Sequence, residues 1–214
     1  MATLLLARHG ETTWNLERRV QGWAPVSLSE RGRAQAAALA RHVVDSYEVD
    51  RLVSSDIERA QETARPLARE LDIEPVLDPS WRERDVGSLQ GFKFDELATQ
   101  YPQYFLSEVG SPAARERPPS GESLVEVRRR VLTAHEGLAA SMTADETVLV
   151  VTHGTPIRLA LGELKGLDIV EAMQSQPLDN GCLCELEVEV EVDEDVDEPV
   201  VHIISENETR FLTA

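Results

Sequence analysis

Thr3-Leu4-Leu5-Leu6-Ala7, close to the first residue, is a short continuous apolar run. A strand that is apolar at every position has both faces buried, so this run predicts an interior strand of a parallel sheet. The period then changes. Ala36, Leu39, Ala40, Val43 and Val44 recur at helical spacing, and Ser29 is placed to cap a helix running to about Val44. Arg51-Leu52-Val53-Ser54 reads as a second strand. A helix capped by Ser55 or Asp56 follows, with Ile57, Ala60, Ala64, Leu67 and Leu71 on one face and Pro66 inside it, where it should bend the helix. Val76-Leu77 suggests a short strand, residues 81–91 a loop, and residues 94–100 a short helix ended by Tyr101-Pro102. Residues 110–121, rich in Pro, Ser and Gly, read as a surface loop. From 122 to 142, Leu124, Val127, Val131, Leu132, His135 and Leu138 share a helical face. Thr147 to Thr152 is a second interior strand, followed by a helix capped by Thr155 with Pro156 in its first turn. Residues 182–192 alternate apolar and acidic positions, as in a strand with one wet face. Residues 200–204 pair back on it, with 193–199 as the turn.

This order predicts an α/β fold: a three-layer sandwich whose mostly parallel central sheet carries helices on both faces and an antiparallel edge hairpin. At 214 residues and 42% hydrophobic content, residues 1–214 suit a single domain. No stretch approaches the roughly 18 apolar residues of a membrane span. The apolar run at the start is too short for a signal peptide and lacks its basic flank, so a soluble cytoplasmic protein is expected. Cys182 and Cys184, two apart in an alternating stretch, fall on one strand face. They read as buried thiols rather than a bridge or a metal site.

Charge narrows the partners. With 21 Lys and Arg against 39 Asp and Glu, the net charge is −18, and only Lys93 and Lys165 are lysines. Such a chain repels phosphate backbones and anionic lipid surfaces, so neither nucleic acid nor membrane is an expected partner. Nine carboxylates lie between Glu185 and Glu198 with no cation among them. That concentration suggests adaptation to high salt.

Ligands of open α/β sheets bind beyond the carboxyl ends of the strands. Three such ends carry candidate chemistry here: Arg8-His9-Gly10, the stretch from Ser55 to Arg59, and Thr152-His153-Gly154. Two strands ending in His-Gly point to one site, in which glycine lets the backbone approach a ligand closely. Arg8, His9, Arg59 and His153 on one rim would receive a dianion. The N-termini of the helices after strands two and four would add oriented N–H groups.

The motifs extend beyond these ends. They are Arg8-His9-Gly10-Glu11-Thr12-Thr13-Trp14-Asn15, Gln21-Gly22-Trp23, Ser54-Ser55-Asp56-Ile57-Glu58-Arg59-Ala60, Glu83-Arg84-Asp85-Val86-Gly87, Gly121-Glu122-Ser123-Leu124 and Val151-Thr152-His153-Gly154. In that order, and over about the whole chain, the sequence resembles the histidine phosphatase superfamily, which includes the cofactor-dependent phosphoglycerate mutases. It departs from the family where an Asp-x-Pro-Leu element often follows Gly-Trp; Ala24-Pro25-Val26-Ser27-Leu28 stands there instead.

The resemblance implies a phosphoglycerate mutase-like fold, with His9 as the phosphorylated nucleophile and Glu83 as the proton donor. Arg8, Arg59 and His153 would hold the transferring phosphoryl group. Asn15, Gln21, Gly22, Arg84 and Gly154 would contact phosphate or substrate. The chemistry suits these types. A neutral imidazole is nucleophilic near pH 7, guanidiniums match phosphoryl oxygens, and a carboxyl kept protonated by burial or by phosphate charge can protonate the leaving oxygen. His42, His135 and His202, outside the motifs, read as structural. The implied activity is metal-independent and cofactor-free hydrolysis of a small phosphorylated metabolite through phosphohistidine. A 2,3-bisphosphoglycerate-dependent mutase and an inactive phospholigand-binding module are the alternatives, and a homodimer stays open. Mutases of the family carry a longer insertion than residues 92–121 here, whose cations are Lys93, Arg115 and Arg117 alone. The shorter cover favours water entry and hydrolysis.

Overall fold

The computed structural model describes residues 1–190 and 199–213. Its strands are β1 (Ala2–Arg8), β2 (Arg51–Ser54), β3 (Val76–Leu77), β4 (Thr147–Thr152), β5 (Leu183–Val188) and β6 (Val201–Glu208). The helices are α1 (Thr13–Leu16), α2 (Glu30–Ser46), α3 (Glu58–Leu71), α4 (Phe94–Gln100), α5 (Leu106–Val109), α6 (Leu124–Ala140), α7 (Gly154–Leu164) and α8 (Ile169–Gln174). The six strands form one sheet in the order β3-β2-β4-β1-β5-β6. The first four run parallel, β5 lies antiparallel to β1, and β6 pairs with β5 as the predicted edge hairpin.

The unbroken apolar run of β1 follows from its place in the middle of this sheet. Leu4 and Leu6 join Val148 and Val150 of β4 in one core layer, against Val127 and Val131 of α6 and Ile157 and Leu161 of α7. Leu5 and Ala7 join Leu149 and Val151 in the opposite layer, against Leu39 and Val43 of α2 and Ala60, Ala64 and Leu67 of α3. Successive side chains of a strand alternate faces, so a strand covered on both sides has no polar position to spare. Each leucine of β1 is fully buried, which contributes about 1.5–3 kcal/mol per side chain. Cys182 and Cys184 are both buried and free, and both lie in the first layer, as their spacing predicts.

Pairing register sets the site. Leu6 lies opposite Val150, and Arg8 lies opposite Thr152, so β1 and β4 end level. The backbone N–H of His9 donates to Thr152 O at 2.9 Å, carrying the pairing one step past the strand. His9 and His153 therefore leave the sheet side by side.

Several local expectations change. Ser29 caps α2 as predicted, its side chain accepting from Gly32 N. At α3 the cap is Ile57, without a side-chain bond, rather than Ser55 or Asp56. Those two side chains are engaged elsewhere: Ser55 with His153, and Asp56 with Arg82. At α7 the cap is His153, two residues before the predicted Thr155, because the chain turns into helix directly from β4. The helix α6 is shorter than residues 122–142 and starts after a reciprocal capping box between Ser123 and Glu126.

The loop over 81–91 opens on the end of a 3-10 turn, Pro79–Trp81, and contains another at Gly87–Leu89; the loop over 110–121 contains one at Ser111–Ala114, where Ala113 and Ala114 are buried. The edge hairpin has β5 ending at Val188 and β6 running on to Glu208. Its acidic face is half-buried rather than wet: Tyr47 donates to Glu185 at 2.9 Å, and His202 lies 2.9 Å from Glu189. Glu191 and all but the last residue of the predicted turn at 193–199 lie outside the described residues. Among the described residues, no helix is long and apolar enough to cross a membrane.

Candidate active site

His9 is almost fully buried, and its two ring nitrogens have different partners. Nδ1 lies 2.7 Å from Gly10 O, and a carbonyl can only accept, so Nδ1 carries the proton. The lone pair is then on Nε2, which receives Arg59 Nε at 3.2 Å. Burial pushes the imidazole pKa well below the ordinary histidine range, and the nearby Arg59 and Arg8 charges push it further. His9 is thus held neutral, in the tautomer whose Nε2 lone pair accepts from Arg59.

His153 is its neighbour, with ring centroids 5.2 Å apart and planes at 61°. Burial, with the Arg59 charge next, holds this ring neutral as well. Its Nε2 lies 2.8 Å from Ser55 Oγ, which in turn accepts from Ile57 N at 3.3 Å. Ser55 is fully buried, and among the described residues Nε2 is the acceptor its hydroxyl meets, so the hydroxyl proton is assigned to Nε2. Nδ1 of His153 then carries the ring proton, and this buried atom has no partner. It is a fixed, unspent donor beside His9.

The cations come from two elements. Arg59, on the first turn of α3, is 1% exposed and spans the site. Its Nη2 donates to Gly22 O at 2.8 Å and its Nη1 to Ala24 O at 3.4 Å. Burial lowers its pKa to about 10, so it stays charged at neutral pH. Arg8, the last residue of β1, donates through Nη1 to Leu178 O, whereas its buried Nε has no partner. Both unspent N–H groups, on Arg8 and on His153, suit an anion's oxygens.

Glu83 lies on a loop without pattern, and a scaffold holds it there. Its Oε1 accepts from Arg84 N at 2.7 Å and its Oε2 from Thr155 N, on the first turn of α7, at 3.3 Å. Trp23 Nε1 donates to Glu83 O at 2.7 Å, and Arg82 stacks on the Trp23 ring at 4.4 Å. From α6, Arg130 donates to Ser80 O and Arg82 O at 2.9 Å each and pairs with Glu122 at 2.9 Å. Glu122 also accepts from Asp85 N at 3.0 Å. The sequence reading gives Ser55 and Thr155 only as helix caps and Arg130 no role, so none of the three was expected in the site. Ser55 sits inside a quoted motif and Thr155 just beyond one, but Arg130 stands on a helix with nothing local to mark it.

The remaining predicted residues divide. Arg8, His9, Gln21, Gly22, Arg59, Glu83 and Arg84 line one cavity of about 480 Å³. Arg84 reaches it with Nε and Nη2 committed to the carbonyls of Glu122 at 2.9 Å and Glu116 at 3.1 Å. Asn15 is outside the cavity lining, and its Oδ1 receives Thr12 N at 3.0 Å in the capping box of α1. The glycines after the histidines serve packing. A Cβ on Gly10 would stand 2.4 Å from Gly32 O of α2, and one on Gly154 would stand 2.9 Å from Arg158 Nη1. The close approach is to α2 at Gly10, and to the side chains of Arg158 and the site's own Arg8 at Gly154.

A neutral imidazole with an aimed lone pair, set among buried guanidiniums at the ends of parallel strands, is chemistry for taking up a phosphoryl group. The class is that of phosphoryl-handling proteins that work through histidine. Residues 4–194 match the family model of the histidine phosphatase superfamily (branch 1), and the chain belongs to that family. Over 173 residues it is 37% identical to a 2,3-bisphosphoglycerate-dependent phosphoglycerate mutase 2 of Gloeobacter violaceus, covering 78% of this chain and 77% of that one. It is also 37% identical, over 156 residues, to a metal-independent phosphoserine phosphatase of Arabidopsis thaliana, covering 72% and 65%. A phosphoserine phosphatase of Entamoeba histolytica, solved with 3-phosphoglyceric acid, superposes with a TM-score of 0.79 at 26% identity. The match covers 99% of this chain and 100% of that one.

Proposed function

We propose that this protein is a metal-independent phosphatase that hydrolyses small phosphomonoesters through a phosphohistidine at His9. The observation that carries this is the His9 ring: neutral, with Nδ1 tied to Gly10 O and Nε2 turned to Arg59. In the first step Nε2 attacks phosphorus, the phosphorus–ester oxygen bond breaks, and Glu83 gives its proton to the leaving alcohol. In the second, Glu83 takes a proton from water, whose oxygen attacks phosphorus, and His9 leaves with inorganic phosphate as product. Arg8, Arg59 and the Nδ1–H of His153 neutralise the equatorial oxygens in both. Gln21, Gly22 and Arg84, which line the same cavity, would contact phosphate or the rest of the substrate.

Two relatives, named for mutase and for phosphatase activity, mark the choice of reaction. None of the cations of residues 92–121 lines the cavity, which favours hydrolysis over holding a bisphosphate. Enzyme quenched after reaction with labelled substrate should carry a label that is stable in alkali and lost in acid. His9→Ala should abolish both label and turnover with the fold intact, and excess chelator should leave turnover unchanged. Substantial turnover by His9→Ala would sink the mechanism. Interconversion of 2- and 3-phosphoglycerate much faster than phosphate release would favour the mutase. The net charge of −18 supports a further reading, a protein that works in a salt-rich cytoplasm.

A further inference from the structure

The far wall of the cavity has a different chemistry from its floor. The floor, at the strand ends, holds Arg8, His9, Arg59 and Glu83. The opposite side is built from residues 94–107, which fold into α4, a 3-10 turn and α5. From this segment Phe94, Leu97, Tyr104, Phe105, Leu106 and Ser107 line the cavity, and Met173 of α8 lines it as well. Phe94 and Phe105 stand edge to face, with centroids 5.0 Å apart. Phe94 remains 45% exposed, although Leu97 just below it is buried. A half-exposed aromatic cover over a buried anion site is an apolar surface left for something to fill.

The cations are already allotted. Arg8 and Arg59 stand beside His9, where the phosphoryl group must sit. Arg84, the third arginine of the lining, has two guanidinium nitrogens bound to backbone carbonyls. Lys93, Arg115 and Arg117, the fixed cations of residues 92–121, do not line the cavity, and Arg117 pairs with Glu126. Away from His9 the lining thus offers one guanidinium already bound through two of its nitrogens, set against the apolar side chains of Phe94, Phe105 and Leu106. Placing an unpaired carboxylate against apolar side chains is costly, whereas placing a hydrocarbon there is favourable.

We infer that the substrate is a phosphomonoester whose leaving group is an uncharged, apolar alcohol, bound between the Phe94–Phe105 pair and Met173. This rests on the phosphatase reading of the same site and adds the substrate class to it. Phosphate fixes the reacting end on the arginines, and the chain or ring of the alcohol packs under the cover. An apolar product alcohol and inorganic phosphate then leave.

The test is kcat/KM for ethyl, butyl and hexyl phosphate against 3-phosphoglycerate and O-phosphoserine. All five have alkoxide leaving groups, so intrinsic reactivity is nearly matched. The n-alkyl series should rise with length, by up to about fourfold per methylene if each is fully buried. Hexyl phosphate should exceed both anionic esters. In Phe105→Ala the ratio of hexyl to ethyl phosphate should fall severalfold. That ratio is independent of the fraction of enzyme correctly folded. A flat alkyl series, or preference for 3-phosphoglycerate or phosphoserine, overturns the inference and leaves the phosphatase reading standing. Absence of phosphate release from any of the five overturns both.

Discussion

His135 offers a clean measure of how far burial alone holds an imidazole neutral. It lies on the inward face of α6, is buried, and its Nε2 has no partner. Burial is the one cause that lowers its pKa, from 6.5 to about 4. The unfolded chain therefore takes up a proton as pH falls below 6.5, and the folded chain does not until about pH 4. Stability is fully present above pH 6.5 and is lost progressively between those values. One pKa unit is worth about 1.4 kcal/mol, so the loss between pH 7.5 and 5.0 is about 2 kcal/mol. His135→Leu keeps the site apolar and removes the titrating group.

Urea unfolding of both proteins at pH 7.5 and 5.0 gives the difference of differences, in which His9, His153 and the carboxylates cancel. The variant should gain about 2 kcal/mol on the parent between the two pH values, or about 4–8 °C in melting temperature. Parallel pH profiles for the two proteins would refute the reasoning. They would also weaken the case for a neutral His9, whose pKa is lowered first by the same burial and then by Arg59 and Arg8.

Two further outcomes are expected. Ser55→Ala removes the hydroxyl that fixes the His153 tautomer, so kcat should fall by about tenfold with KM changing less, and Ser55→Thr should restore part of it; an equal rise in KM alone would assign Ser55 to substrate binding instead. The melting temperature should rise by many degrees between dilute buffer and molar KCl, because the screening length falls from about 10 Å to about 3 Å and spaced carboxylates stop repelling one another. An unchanged or lower value in molar KCl would make the acidic surface a solubility feature only.

What the sequence determined by itself is local. An apolar run with no polar position can only be a strand covered on both faces, and helical spacing marked α2, α3 and α6, because periodicity reports which side of an element is buried. His9 and His153 were legible as one site because both close such a strand with His-Gly. Periodicity does not report what the buried side meets. The tertiary structure decided that β1 and β4 are neighbours ending level, which sets the two rings 5.2 Å apart. It also decided the cap of α3, which is Ile57, since the Ser55 hydroxyl meets His153 and the Asp56 carboxylate meets Arg82 across the fold. The support of Glu83 by Trp23, Thr155 and Arg130 joins four separate segments, and no local pattern encodes such a meeting. The same holds for the apolar cover. Residues 94–100 read as a short helix and 103–107 carried no reading, and only packing brought Phe94 and Phe105 to the cavity that holds the arginines, because which face of a short helix meets which cavity is settled by the contacts of the whole chain.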